Sequence, residues 1–121
     1  MILDLLRNDS RLDRARVCID HCEEHTIRMA LDEGYWAGIT LYPVTKATPQ
    51  RAADMIEIYG SDRILVNSSA DWDPSDPLAV PKFIAVMRSR GHAESLIRQI
   101  VYDNPLKFFT QSRGFAFIPP E

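Results

Sequence analysis

Apolar positions along this chain fall into two rhythms that alternate from start to end. Val17-Cys18-Ile19 is an unbroken apolar run of the kind a fully buried strand presents. After it, Ile27, Ala30 and Leu31 recur at i, i+3, i+4, the helical period, and Gly34 is placed to close that helix. Tyr35 to Tyr42 forms a second β-prone run, closed by Pro43. The next helix is punctuated at both ends: Thr48 as N-cap, Pro49 in the first helical position, and Gly60 as the stop. Ala52, Met55, Ile56 and Tyr59 form its apolar face. The third apolar run, Arg63 to Ser68, turns polar at Asn67 and Ser68. A loop rich in Asp, Ser and Pro follows from Ser69 to Pro81.

Helices are predicted over Lys82–Arg90, Ala93–Val101 and Pro105–Gln111, and Ile2 to Leu6 reads as the end of another. The order is α-β-α-β-α-β-α-α. Apolar strands alternating with helices predict an α/β fold with a parallel sheet covered on both faces. The pattern assigns no element to the tail, Phe115–Glu121.

At 121 residues the chain is at most one domain, and 45% hydrophobic content suits a packed core. A net charge of −3 without a basic block gives no support for nonspecific nucleic-acid binding. No apolar run approaches the ~20 residues that span a membrane. The amino-terminal segment lacks a signal-peptide layout, so a cytoplasmic location and no membrane partner are expected. Cys18 and Cys22 are expected to be free thiols.

Candidate chemistry gathers at the carboxyl ends of the three strands, where α/β proteins bind ligands. Asp20, His21 and Glu23 follow the first strand. Tyr42, Thr45 and Lys46 follow the second. Asn67, Ser68, Ser69 and Asp71 follow the third. The opposite ends carry Arg14, Arg16, Glu33, Asp62 and Arg63, read as plain surface. An imidazole and a carboxylate on neighbouring strand ends can share a divalent metal, and Lys46 can hold an anionic group. Against this stand plainer roles: a hydrogen-bonded structural His21, a loop-stabilising Asp71 and a solvated Lys46. Cys18, His21, Cys22 and His25 form a C-x2-H-C-x2-H cluster that fits no zinc-finger spacing, since Cys18 is in a strand and His25 is expected in a helix. The acids between Ala70 and Pro77 lack the glycine and terminal glutamate of a calcium loop, and no phosphate-cradling glycine motif occurs. A cysteine nucleophile paired with His21 or His25 lacks an orienting third group.

Five segments in order resemble the carboxy-terminal part of the TatD-like metal-dependent hydrolases, which are amidohydrolase-type TIM barrels. Ile19-Asp20-His21-Cys22 resembles the sixth-strand histidine segment. Leu31 to Ile39 resembles the helix, glycine and aromatic passage into strand seven, and Val44-Thr45-Lys46 the loop after it. Asp62 to Val66 resembles the run into strand eight. Asp103-Asn104-Pro105-Leu106-Lys107-Phe108-Phe109 resembles the closing helix.

The resemblance implies three consecutive βα units of a (β/α)8 barrel over residues 1–112, with 113–121 as a tail. It implies a metal-dependent hydrolase of phosphodiester or related ester or amide bonds, acting through metal-activated water. Zinc, magnesium or manganese would be bound by His21 and Asp71. Asp71 would be catalytic, and Tyr42 and Lys46 would contact substrate. Asn67-Ser68-Ser69 stands where the family has Glu-Thr-Asp, with Asp71 two residues later. The family's His-x-His pair, middle-strand glutamate and fifth-strand histidine have no counterpart here. The expectation is therefore an incomplete barrel, inactive alone, which self-associates or pairs with a chain that completes it. Two competing readings are a non-catalytic α/β module for binding or assembly, and a small-molecule domain holding an anion at Lys46.

Overall fold

A computed structural model describes residues 2–69, 74–118 and 120. The elements are α1 (Ile2–Arg7), β1 (Cys18–Ile19), α2 (Ile27–Asp32), β2 (Trp36–Leu41), α3 (Pro49–Tyr59), β3 (Ile64–Ser68), α4 (Ala79–Ser89), α5 (Glu94–Arg98) and α6 (Asn104–Phe109). A 3-10 turn, Arg14–Arg16, precedes β1, and a π-helical turn, Gln99–Asp103, joins α5 to α6.

The three strands form one parallel sheet in the order β1-β2-β3. The strands thus lie side by side in chain order, each joined to the next through a helix, as the alternation of rhythms predicts. All six residues of β2 are buried.

The register sorts the side chains by face. Cys18 lies opposite Trp36, Gly38 opposite Leu65, and Thr40 opposite Asn67. Side chains alternate along a strand, so these residues share one face. Ala37, Ile39, Leu41, Ile64 and Val66 share the other and belong to the main apolar core, together with Ile27, Ala30, Ala52, Met55, Ile56, Phe83, Met87 and Ile100. The expectation of equal apolar cover on both faces is corrected in this respect. The helical core gathers on one face, and the other carries polar groups toward the strands' carboxyl ends.

Helix α3 has the punctuation read from the sequence. Thr48 Oγ1 accepts the Arg51 amide (3.2 Å), Pro49 opens the helix, and Gly60 closes it at φ +87°. Helix α4 starts three residues earlier than predicted. Pro81 falls in its first turn, where amide hydrogens have no intrahelical partner and proline is tolerated.

The two predicted carboxy-terminal helices form one helical path through the π-helical turn. Pro105 cannot donate an amide hydrogen bond, and the wider turn before it accommodates this. The same turn seats Asn104, 5% exposed, so that its amide donates to Ser61 O and Ile64 O (both 2.8 Å). Asn104 thereby fastens the closing helix to the start of β3. The tail beyond α6 folds back through aromatic contacts: Phe109 lies 6.0 Å from Phe115, and Phe115 6.1 Å from Phe117.

The amino ends of the strands are more than plain surface. Arg63 takes a left-handed backbone conformation, φ +57°, and its guanidinium donates to Leu31 O (2.8 Å) and Tyr35 O (3.4 Å). Arg14 donates to Glu33 O (3.0 Å). Both arginines occupy carbonyls around the end of α2, which the helix itself leaves without partners.

Candidate functional site at the strand carboxyl ends

The site is built where β1 leaves the sheet. In a regular parallel ladder Gly38 O would continue to accept from β1 in step. Instead it accepts from Cys22 N (2.8 Å), so Asp20 and His21 are extruded at the rim. His21 sits at φ +57°, unusual for a residue with a side chain. Its amide donates to Asp20 Oδ1 (2.8 Å), which holds this conformation in place. Strained backbone of this kind concentrates at functional positions.

Gly38 makes the arrangement possible. Asp20 follows Ile19, which pairs with Ala37, so Asp20 lies across Gly38. A Cβ on Gly38 would overlap Asp20 Oδ1 and sit 3.1 Å from Asp20 Cγ and 3.2 Å from Asp20 Cα. With only hydrogen there, the Asp20 carboxylate reaches over β2. Its Oδ1 also accepts from Thr40 Oγ1 (3.2 Å) and Asn67 Nδ2 (3.3 Å). His21 Nδ1 lies 2.7 Å from Thr40 Oγ1 and 3.9 Å from Asp20 Oδ2. Residues from all three strand ends thus converge: Asp20 and His21 from β1, Thr40 from β2, Asn67 from β3. Asp20 and His21 remain half-exposed, open to a ligand.

Of the predicted site residues, His21 is at the centre of this cluster. Asp71 lies outside the described residues. Tyr42 is buried at the end of β2 and lines a different cleft, of about 410 Å³, with Leu41, Thr48, Gln50, Asp76 and Lys82. None of the four cluster residues lines that cleft. Lys46 is half-buried in the following loop, and its carbonyl accepts from Arg51 Nη1 (3.1 Å). Arg51 also makes a bidentate pair with Glu24 (2.8 and 2.6 Å), tying the start of α3 to the loop after β1. That pair holds the Glu24 carboxyl down at about 2.

The cysteines take no part in such a site. Both are free, and the Cys22 thiol donates to Ile19 O (3.1 Å). Burial pushes the Cys18 thiol up to about 12 and the Cys22 thiol up to about 11. Thiols held protonated are poor nucleophiles and poor metal ligands. His25 is exposed in the turn before α2, which corrects its predicted place within a helix.

Sequence reading missed Asp20, Thr40 and Asn67 as a unit. One signal was available, the single glycine inside the apolar run of β2, which marks close approach of another group.

His21 and Asp20 have the right chemistry for part of a divalent metal's shell. Catalytic zinc sites use three protein ligands. No cluster of three or more His, Cys, Asp and Glu side chains among the described residues is arranged to hold a metal. The described residues therefore form an incomplete metal shell. Among them, too, no helix is long and apolar enough to cross a membrane.

No family model matches the chain. An uncharacterized metal-dependent hydrolase of Methanocaldococcus jannaschii is 28% identical to it over 108 residues, 89% of this chain. The chain spans 42% of that protein's length.

Proposed function

We propose that this chain carries the carboxy-terminal βα units of a TatD-like metal-dependent hydrolase with a (β/α)8 barrel, acting on phosphodiester or related ester or amide bonds. The observation that carries this reading is the meeting of Asp20, His21, Thr40 and Asn67 at the carboxyl ends of three adjacent parallel strands. Barrel enzymes build their active sites at that end. The similarity to a protein named as a metal-dependent hydrolase supports it, as does the parallel order of the three strands.

In this reading His21 is a metal ligand and Asp71 the acid that completes this side of the site. Tyr42 and Lys46 stand on the substrate side. Eight strands close such a barrel, so further ligands come from strands other than these three, in the same polypeptide or in a partner chain. The metal is zinc, magnesium or manganese.

The test is metal content after dialysis, together with phosphodiester hydrolysis with and without chelator. Wild-type protein is expected to retain a divalent ion, and His21→Ala and Asp71→Ala to lose it. No retained metal, and no effect of either substitution, would sink the reading.

The incomplete shell favours a second reading, a non-catalytic module for binding or assembly. It predicts that ligand binding survives substitution of both His21 and Asp71.

A further inference from the structure

The hydrogen bonds around His21 form a directed chain whose protons can be counted. Asp20 Oδ1 receives the His21 amide (2.8 Å), the Thr40 hydroxyl (3.2 Å) and the Asn67 amide (3.3 Å). A carboxylate accepts only, and a threonine hydroxyl has a single proton. With that proton directed to Asp20, Thr40 Oγ1 faces His21 Nδ1 at 2.7 Å with its lone pairs. A hydrogen bond of that length then requires the proton to be on Nδ1.

We infer that Thr40 and Asp20 are positioning residues for His21: they fix its ring as the Nδ1–H tautomer, so that Nε2 carries the free lone pair presented at the rim. Gly38 belongs to the same device, because only a residue without Cβ lets Asp20 lie over β2 and reach Thr40. Asn67 holds the carboxylate from the far side. The hydrogen bond made by one ring nitrogen decides which nitrogen is available to a metal or a proton. The identity of a metal as the partner of Nε2 rests on the function proposed above. The tautomer does not, because it follows from the hydrogen bonds alone.

Long-range proton–nitrogen NMR correlation on 15N-histidine-labelled protein at pH 8 reads the tautomer directly, with His21→Asn identifying the resonances. His21 is expected to show a protonated Nδ1 and an unprotonated Nε2. Thr40→Val keeps the shape and removes the hydroxyl, so it should shift the ring toward the Nε2–H form that free imidazole side chains favour. Thr40→Ser should restore the wild-type pattern. Wild-type His21 protonated on Nε2 would overturn the inference without recourse to any variant, as would an unchanged tautomer in folded Thr40→Val.

Zinc titration separates the two proposals. A zinc-dependent change at Nε2, weakened roughly 10–100-fold in Thr40→Val, upholds both. A change at Nδ1 instead overturns the relay. An Nδ1–H ring that ignores zinc upholds the relay and refutes the metal-dependent reading.

Discussion

Replacing Gly38 with alanine tests the architecture of the rim at its tightest point. Glycine in a strand is ordinarily unfavourable, and alanine at a compatible backbone position stabilises by about 0.4–1 kcal/mol. Here the new methyl would overlap Asp20 Oδ1 and stand 3.1 Å from Cγ and 3.2 Å from the Asp20 Cα. Rotating the Asp20 side chain removes the first two contacts but not the third, so the backbone must also give. Overpacking of this kind costs about 1–3 kcal/mol. Displacing the carboxylate also breaks its bonds from Thr40 and Asn67, worth about 0.5–1 kcal/mol each at a half-exposed site. The expected destabilisation of Gly38→Ala is about 2–4 kcal/mol.

In an Asp20→Ala background the carboxylate is gone and only the contact with Cα is left. The same substitution should then lie near zero, giving a coupling of about 1–3 kcal/mol. Urea unfolding of the four proteins, monitored by tryptophan fluorescence, measures this double-mutant cycle. Equal costs of Gly38→Ala in both backgrounds would refute the claim that this glycine exists to seat Asp20.

Other consequences are equally measurable. Asn104→Ala leaves the Ser61 and Ile64 carbonyls without their donor at a buried site, and should cost about 2–4 kcal/mol in urea unfolding; a loss below about 0.5 kcal/mol would show that the closing helix is held by other contacts. Glu24 has a folded-state pKa of about 2 against an ordinary 4.5, so its pairing with Arg51 stabilises the fold above about pH 4.5 and is lost as pH falls toward 2. Glu24→Gln should flatten that part of the stability–pH curve, and an unchanged slope between pH 4.5 and 2 would contradict the assignment. The two thiols, held near 12 and 11 against an ordinary 9.0, stay protonated in the folded protein. Their contribution is complete below pH 9 and declines as pH rises through 11 to 12. Both should resist iodoacetamide at pH 8 until the protein is unfolded, and rapid labelling of the folded protein would contradict their burial.

How much of this was legible in the residue order varies with the range of the interaction. Strand β3 could be read at once, because Ile64-Leu65-Val66 is continuous and turns polar at Asn67. Helix α3 was equally plain, because Thr48, Pro49 and Gly60 act on the backbone within a few residues. The π-helical turn was not legible. Its residues carry an ordinary helical pattern, and its register is set by Asn104 finding the carbonyls of Ser61 and Ile64, some forty positions earlier. Arg63 and Arg14 read as surface because the carbonyls they bind belong to a helix end that only the fold brings near.

The same division holds at the rim. Sequence alone determined that three apolar strands alternate with helices and that each ends in polar groups, since both properties follow from local periodicity and side-chain type. It marked His21 through its place at the end of β1. Which polar groups meet was decided only in three dimensions. Asp20, Thr40 and Asn67 lie twenty and then twenty-seven positions apart, and a one-residue change in strand register would turn Thr40 to the opposite face. The pairing of Ile19 with Ala37 and of Thr40 with Asn67 fixes that register. Gly38 then leaves the space in which one carboxylate joins three strands and orients one histidine.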